Sequence, residues 1–589
     1  MKKLLLLLSL FCVVYTNAQV VQNWTSGLPT GGYNNHTIAT DSQGNVYSVG
    51  NYNGTARDFD PGIGVFNMSS FSQSMYILKL DASGNFVWAK EIGGPTTYAI
   101  TSATAVAIDA SDNIYVSGST DSIIGTNIDF DPGSGVSNVS NPTGHYVMYL
   151  LKLDANGNHI WNAQFQTPAN MYDNDTVQSI KVDASGNVYA TGGYNGTVDF
   201  DPGSGVTNLT SVTNTLSTEI YILKLNSSGN LVWVKPLQNN ATSTDTKVDK
   251  GYGIDVDSSG NVYSVGYFWE SIDADPGTGV HSLVGYTSSN PVLSAGNVLY
   301  VSKLDASGNF VWANNLIGDH NLQFLPSMAV DGSNNIIVSG YISGSTSALT
   351  DFDFGAGTAF ISSTSGPFVL KMDASANFIW VKSTASITTA VNAQSYGTGL
   401  AIDATGSIYT TGGIYSGTYD FDPGSGTSLL TPSNVDAYIS KLDPSGNFVW
   451  ATKVGGSGLE WGYSIAVSPL GKVTISGSTD TGFSKSAMAV TGAGGFLASF
   501  TQPALVTSQF DLENKITIYP NPASQIININ ANQNIDSIAI YDMLGKLIQT
   551  KNINSNTDSI DISNCNSGLY FCKIYLDNGA VETKKVVKE

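Results

Sequence analysis

The chain has 589 residues, a formal net charge of −21 and only 12% charged residues. This length predicts two or three domains rather than one. The negative charge excludes nucleic acid as a favourable partner, because phosphate backbones are repelled by an acidic surface. The 62 Gly, 29 Tyr and 23 Phe residues favour short strands and tight turns over helices.

Residues 1–18 have the organisation of a secretory signal peptide. Two lysines follow Met1, residues 4–14 are apolar, and small residues lead to Ala18, before the expected cleavage point. The apolar run is much shorter than the roughly 20 residues of a membrane helix, and no later run reaches that length. The sequence therefore predicts export and no transmembrane segment.

Two sequence phrases alternate along residues 19–500. V-D-x-x-G-N-V-Y recurs at intervals of 68 to 74 residues, with a degraded seventh copy at 467–473, and K-L-D-A-S-G-N-F-V-W lies between successive copies. Each phrase predicts a β-hairpin, because Asp accepts hydrogen bonds from turn amides and Gly supplies a positive φ. Two hairpins give the four strands of one propeller blade. The aspartates of the first phrase are Asp41, Asp109, Asp183, Asp257, Asp331 and Asp403.

The two ends of the repeat region predict how the blades are arranged. Residues 20–24 resemble the strand that ends each blade, and the seventh copy lacks that strand. We therefore expect an all-β chain with a seven-bladed β-propeller, four strands per blade, in which the N-terminal strand closes the last blade. The alternative is a linear β-solenoid, since repeats alone do not force closure.

One Trp recurs in each K-L-D-A-S-G-N-F-V-W phrase, and two interpretations are open. The set could stack on sugars, or each Trp could pack between neighbouring blades, which is the favoured interpretation. The residues are Trp88, Trp161, Trp233, Trp312, Trp380 and Trp450.

The phrases, in this order over residues 32–500, resemble the β-propeller repeat family of exported bacterial proteins. The resemblance implies a propeller and assigns no chemistry. The repeat is broken most by insertions at Pro236–Lys250 and Val280–Asn297, where we look first for a partner surface.

A D-x-D-x-G motif between the two hairpins of six blades is the one candidate metal site. Carboxylates two residues apart can turn toward one hard cation, so Ca²⁺ is the candidate cofactor. The alternative, which is favoured, is that Asp caps a Pro-Gly turn without metal. We expect all six loops to emerge on one face of the disc. The aspartates are Asp58, Asp60, Asp129, Asp131, Asp199, Asp201, Asp273, Asp275, Asp351, Asp353, Asp420 and Asp422.

The sequence offers no catalytic constellation. The five histidines occupy unrelated positions of the repeat, and H-E-x-x-H, G-x-S-x-G and phosphate-binding glycine motifs are missing. We therefore expect no catalytic residues and no enzyme. The alternatives are a spacer without a specific ligand, and a hydrolase or lyase that uses acidic loop or channel residues.

Residues 515–589 follow a predicted linker at 501–514 and change pattern. They carry Y-P-N-P, I-Y-D-M-L-G-K, S-G-L-Y and K-K-V-V-K in order, within period-2 runs that predict a small antiparallel β-sandwich. This segment resembles the type A sorting domain of type IX secretion in Bacteroidota. The resemblance implies recognition by the type IX secretion machinery, outer-membrane translocation, and then release or attachment at the cell surface.

These observations predict a monomeric, non-catalytic binding or adhesion module that is secreted or attached to the cell surface. Its partner is expected to be an extracellular glycan or protein. This part of the prediction rests on analogy between folds rather than on a recognised site.

Overall fold

The computed structural model describes the chain in segments. They are residues 20–29, 37–94, 96, 99–121, 126–140, 146–166, 175–212, 218–239, 248–285, 297–320, 325–343, 350–361, 365–387, 394–485, 488–491, 493–502, 516–543, 545–577 and 581–589. The predicted signal peptide and most of the predicted linker lie outside them. Two compact units, Met1–Gln502 and Pro503–Glu589, divide the chain.

The described residues form strands and turns, with no helix among them. Accordingly, this part of the chain contains no helical segment with the length and hydropathy of a membrane span. All paired strands within the sheets run antiparallel.

The first unit contains seven groups of four hydrogen-bonded strands, here called sheets 1 to 7, which make it propeller-like. In chain order their strands are Thr37–Thr40, Val46–Tyr52, Ser74–Leu80 and Phe86–Ile92 (sheet 1); Ile100–Ile108, Ile114–Asp121, Val147–Leu153 and His159–Gln166 (sheet 2); Thr176–Val182, Val188–Tyr194, Glu219–Leu225 and Leu231–Asn239 (sheet 3); Lys250–Val256, Val262–Phe268, Asn297–Leu304 and Phe310–His320 (sheet 4); Ser327–Val330, Ile336–Ser343, Ser365–Met372 and Phe378–Ser383 (sheet 5); Gln394–Ile402, Ile408–Tyr415, Val435–Leu442 and Phe448–Val454 (sheet 6); and Glu460–Val467, Lys472–Thr479, Gly494–Thr501 and the N-terminal Val21–Leu28 (sheet 7). A single pairing, His320 with Ile342, connects sheets 4 and 5.

Burial differs along each sheet and explains the composition of its strands. The second and third strands, such as Val46–Tyr52 and Ser74–Leu80, are buried along nearly their whole length. They therefore present mostly apolar side chains on both faces, whereas fourth strands such as Phe86–Ile92 contain few fully buried residues.

The V-D-x-x-G-N-V-Y turn joins the first two strands of a sheet and, in sheets 1 to 6, is held by its aspartate, which Ser468 replaces in sheet 7. Asp41 Oδ1 accepts hydrogen bonds from the amides of Gln43 and Asn45 at 3.0 and 2.9 Å. Its Oδ2 accepts from Tyr47 and lies 3.6 Å from Lys79 Nζ on the third strand. The turn therefore fixes three strands of the sheet to one another.

Trp and Lys side chains connect each sheet to the next one. A Cβ added to Gly157, in the last turn of sheet 2, would lie 3.2 Å from the Trp88 ring of sheet 1. Lys79 donates to the carbonyl of Ala155 in the same turn. The half-buried Trp88 thus packs between neighbouring sheets, as the favoured interpretation of the Trp set predicts.

Sheets 7 and 1 are connected in the same way. Trp24 of the N-terminal strand lies under Gly84, whose φ is +86° and whose added Cβ would be 2.6 Å from the indole. Lys472 of sheet 7 donates to the carbonyl of Ala82 at 2.7 Å. The first strands of consecutive sheets contact one another, and that of sheet 7 contacts that of sheet 1.

The second unit is one five-stranded sheet, built from Thr517–Tyr519, Ile526–Asp542, Leu547–Asp561, Gly568–Leu576 and Val581–Lys588. The prediction of a two-sheet sandwich is corrected here. The strand Ile526–Asp542 pairs along its length with Leu547–Asp561, and its pairing shifts between Asn530 and Ile535 instead of ending. Both halves therefore stay in one curled sheet. Cys565 and Cys572 are free thiols, and Cys572 is buried in the core.

Candidate functional site

The D-x-D-x-G motifs lie in the loops that join the second and third strands of sheets 1 to 6. In five sheets the loop is a short hairpin, formed by Arg57–Asp58 with Asn67–Met68, Asn127–Asp129 with Asn138–Ser140, Thr197–Asp199 with Asn208–Thr210, Ser271–Asp273 with Ser282–Val284, and Tyr419–Asp420 with Leu429–Leu430. Ser386–Ile387 adds a strand to the hairpin of sheet 6. Sheet 7 has a hairpin without the motif, Gly482–Lys485 with Met488–Thr491.

Both aspartates of each motif accept hydrogen bonds from the loop backbone. Asp58 Oδ1 accepts from the amides of Asp60 and Phe66 at 3.0 and 2.8 Å, and Asp60 Oδ1 accepts from Gly62 at 2.8 Å. The same three bonds recur in the other five loops. The second carboxylate also explains a downstream glycine, since a Cβ on Gly64 would lie 2.1 Å from Asp60 Oδ2.

The residue between the two aspartates anchors the loop. Phe59 is 1% exposed and packs against Tyr52 and Tyr76 with ring centroids 5.1 Å away from each. A buried aromatic takes this place in five loops, with Ala274 in sheet 4. This role was not predicted, although the sequence contains a signal for it: the middle residue is Phe in five of the six motifs.

Because the middle residue is buried, the loops pack against the outer strands of the sheets. The ring of Phe66 lies 5.0 Å from that of Phe86 on the fourth strand, and Ser137 Oγ donates to Asn162 of the fourth strand in sheet 2. That all six loops emerge on one face of the disc stays a prediction. The aspartates of the motifs are half-buried.

The structure brings together the two aspartates of each motif. Within the described ranges, no three His, Cys, Asp or Glu side chains form a group that could hold a metal ion. Calcium binding by the aspartate pairs stays a prediction.

The tips of these loops expose apolar side chains. Val65, Val136, Val206 and Val280 occupy equivalent positions and are 72 to 76% exposed. Sheet 1 departs from the repeat: Ile63 stands where three other loops have Ser, and Ile63 and Phe71 are 108% and 73% exposed. These residues, together with Val65, are called the sheet 1 patch below.

A second place where the repeat is broken lies on the first strands. All seven first strands line a cavity of about 380 Å³. One lining position is Ala in five sheets, but Lys181 in sheet 3 and Asp255 in sheet 4. Lys181 Nζ lies 2.9 Å from Asp255 Oδ1, and Asp255 Oδ2 accepts from the amide of Val330 at 2.9 Å.

The predicted partner surface at the two insertions is described only at its ends. The insertion at Pro236–Lys250 is described up to Asn239 and from Val248, and the one at Val280–Asn297 up to Gly285 and at Asn297. The prediction for the intervening residues lies outside the described part of the chain.

Comparison with known protein families bears on both units. A model described as a β-propeller repeat matches residues 87–131, and one described as a secretion system C-terminal sorting domain matches residues 517–589. The second unit is a sorting domain. This sorting domain indicates export through type IX secretion, to the cell surface or outside the cell.

Known sequences and structures resemble the chain distantly. An uncharacterised WD repeat-containing protein of Acanthamoeba polyphaga mimivirus is 25% identical over 500 residues, covering 75% of this chain and 35% of that protein. The chain thus spans about a third of the length of the relative that it matches.

Two solved structures align with the chain at low sequence identity and low TM-score. PorZ, a surface component of the type IX secretion system of Porphyromonas gingivalis, is 12% identical with a TM-score of 0.22, covering 96% of this chain and 100% of that one. A PL25 ulvan lyase is 10% identical with a TM-score of 0.28, covering 69% of this chain and 91% of that one.

Proposed function

We propose that the first unit is a non-catalytic binding module, displayed outside the cell as a closed seven-bladed propeller. Its partner is an extracellular protein with a basic and partly apolar surface, which contacts the outer edge of the disc. The sheet 1 patch is the centre of this contact.

Four observations support the closed ring. The first strands of the seven sheets contact one another in a cycle, and Val21–Leu28 pairs with Gly494–Thr501. Trp24 and Lys472 make the same contacts with sheet 1 that Trp88 and Lys79 make with sheet 2. A linear solenoid has no such contact between its first and last repeats.

The observation that carries the binding role is the exposure of Ile63, Val65 and Phe71 on a loop fixed by its own carboxylates. Large apolar side chains that share one loop mark interaction sites more often than isolated ones do. The loop is ordered before a partner arrives, so binding loses little conformational entropy. The net charge of −21 favours a basic partner.

The polar pair in the cavity supports a non-catalytic role. Both oxygens of Asp255 already accept hydrogen bonds, Oδ1 from Val256 and Oδ2 from Val330, and Lys181 neutralises its charge. A general base needs a lone pair that can reach the substrate proton.

The test is adhesion of cells that display the chain to a surface coated with a basic extracellular protein. The double variant I63S/F71S gives sheet 1 the serine found in other loops and removes one aromatic ring. We expect adhesion to fall about tenfold, because each buried apolar side chain contributes roughly 1.5–3 kcal/mol, of which only part remains after the costs of association.

The matched control is S204A/V212S, which changes the equivalent positions of sheet 3 and leaves the sheet 1 patch intact. It should adhere like the wild type. Unchanged adhesion of I63S/F71S would favour the spacer alternative. Equal adhesion to a neutral polysaccharide coat would indicate a glycan partner instead.

A further inference from the structure

Two acidic side chains from different sheets meet at the junction between sheets 6 and 7. Asp436 lies near the start of the third strand of sheet 6, and Glu460 is the first residue of sheet 7. Both are 0% exposed. An isolated parallel bridge between Val435 and Leu459 brings their backbones together.

Three of the four carboxylate oxygens have hydrogen-bond donors. Asp436 Oδ2 accepts from the Ser433 amide and from Lys453 Nζ. Glu460 Oε1 accepts from Thr479 Oγ1 at 2.9 Å, and its Oε2 accepts from the Gly456 amide at 2.9 Å. Asp436 Oδ1 is buried and has no hydrogen-bond partner.

The unpartnered oxygen faces the other carboxylate. A Cβ on Gly455 would lie 2.3 Å from Asp436 Oδ1 and 2.6 Å from Glu460 Oε2, so both oxygens border the same small space. A buried carboxylate oxygen without a donor is costly, and two ionised carboxylates that face each other repel. One hydrogen atom between them removes both penalties.

We propose that Asp436 and Glu460 form a proton-binding site, in which one proton on Glu460 Oε2 is donated to Asp436 Oδ1. This pair is called the junction pair. It is a site separate from the binding surface proposed above, and neither depends on the other.

A lysine beside the pair favours a proton over a divalent metal ion, although a third carboxylate lies nearby. Lys453 supplies one positive charge to the pair, and Asp480, which accepts from the Leu459 amide at 2.7 Å, adds a third carboxylate. Among the described residues these carboxylates do not assemble into a group that could hold a metal. Burial, with Asp436 and Asp480 nearby, raises the pKa of Glu460 against the lowering effect of its hydrogen bonds.

The junction pair controls the loop Gly455–Leu459, which connects the two sheets. The amides of Gly456 and Leu459 are bound to Glu460 and Asp480. Loss of the proton leaves a second charge beside Asp436 and repels the carboxylates that hold this loop. The junction is therefore closed at low pH and loosened at high pH.

The related junction between sheets 3 and 4 shows what distinguishes this one. Thr218 and Val248 form the equivalent bridge. There, Glu219 accepts hydrogen bonds from Val212 and Tyr194, and Asp249 accepts from Trp269 and Asn239, so all four oxygens have donors. Two acids at a junction therefore need a shared proton only where a donor is missing.

The experiment compares wild type and D436N in the full chain by denaturant unfolding between pH 5 and pH 9. A buried Glu with a raised pKa stabilises the fold below its ordinary pKa, and this stability is lost as the pH rises through the raised value. The wild-type unfolding constant should rise about tenfold per pH unit in that window. D436N should lack this rise, because an amide nitrogen in place of Oδ1 donates to Glu460 at every pH.

The control is D443N, which alters an exposed turn of the same sheet and should keep the wild-type dependence on pH. Equal slopes for wild type and D436N would overturn the proposal. So would recovery of wild-type stability at high pH on addition of Na⁺ or Ca²⁺, which would identify a cation site.

Hydrogen exchange of the wild-type chain tests the proposal even where D436N does not fold. After correction for intrinsic rates, protection of the Gly456 and Leu459 amides should fall with rising pH. Protection of the Gln43 and Asn45 amides, which Asp41 binds, should not. A constant ratio between the two sets would contradict the junction pair.

Discussion

The turns at one end of the sheets and the junctions at the other use acidic residues in opposite ways. In the turns, burial alone would raise the pKa of Asp257, but hydrogen bonds from Asn261, Tyr263 and the Ser259 amide hold it below its ordinary range. At Asp175, the residue before the first strand of sheet 3, burial dominates and raises the pKa to about 7. The carboxyl of Asp175 has fewer donors than that of Asp257 and lies deeper in the fold, and both differences favour its protonated form.

The turn aspartates and the junction acids also differ in how regularly they recur along the chain. The turn network recurs in sheets 1 to 4 with the same spacing of Asp, Asn and Tyr, and the aspartate keeps its amide donors in sheets 5 and 6. Acidic pairs with matching backbone bridges occur, among the described residues, at the junctions of sheets 3 with 4 and 6 with 7. The turns therefore stabilise one sheet after another in a similar way, whereas the acidic pairs make particular junctions different from the rest.

The largest expected effect comes from removing the Trp under the turn of sheet 1. W24A should lower the free energy of unfolding by about 3–5 kcal/mol, because it leaves a cavity beneath Gly84 and weakens the strand that completes sheet 7. Denaturant unfolding measures the loss. V21A, a substitution at a half-exposed residue on the same strand, should change stability by less than about 0.5 kcal/mol.

A turn aspartate comes next. D257A removes the acceptor of four hydrogen bonds, two of them from the amides of Ser259 and Asn261, and should cost about 3 kcal/mol at neutral pH. A lowered pKa contributes stability above the ordinary Asp range that is lost as pH falls. The variant should therefore lose less than the wild type on acidification, and an equal loss would exclude Asp257 as a source of acid sensitivity.

Asp175 should behave with the opposite sign. Its pKa is raised to about 7 by burial, while burial lowers the pKa of Lys250 beside it to about 8. Stability from the protonated form is present at low pH and lost as pH rises toward 7. D175N should thus be more stable than the wild type at pH 8, by about 2 kcal/mol, and similar to it at pH 4. Thermal unfolding at the two pH values decides this, and a D175N advantage at pH 4 alone would contradict it.

The smallest effect is expected for calcium. In all six D-x-D-x-G loops the Oδ1 atoms accept backbone amides, as in Asp58 and Asp60, so the turns can form without a cation. We expect the thermal midpoint to be the same after EDTA treatment and after addition of millimolar Ca²⁺. A midpoint that falls with EDTA and recovers with Ca²⁺, but not Mg²⁺, would instead establish the aspartate pairs as metal sites.

Local features of this fold could be predicted from the sequence. The turn at Asp41 depends on contacts two, four and six residues along the chain, so a single phrase contains all of its partners. The all-β class and the sorting domain followed from similarly local patterns. The pairing of the N-terminal strand was also predictable, because residues 20–24 resemble the strand that ends each blade and the seventh copy of the repeat lacks that strand.

Features that depend on distant residues could not be predicted in the same way. The burial of Phe59 between Tyr52 and Tyr76 turns the loop toward the outer edge, and no spacing rule gives that direction. Asp436 and Glu460 meet because a loop returns from one sheet to the next. Lys181 and Asp255 occupy a repeat position that is Ala in the other five sheets. Their ion pair could not be predicted, because it depends on how sheets 3 and 4 are oriented relative to each other.

The strand Val21–Leu28 has a consequence for the order in which the protein becomes complete. It is made before the other strands of the first unit, yet its partner Gly494–Thr501 is among the last segments of that unit to be made, and Asn23 bonds to Thr501 across 478 residues. Sheets 1 to 6 can form from their own strands during synthesis, but sheet 7 must wait. An interrupted chain therefore carries an unpaired edge at its beginning, and a nascent chain exposes a β-strand open to incorrect pairing until residue 501 is available.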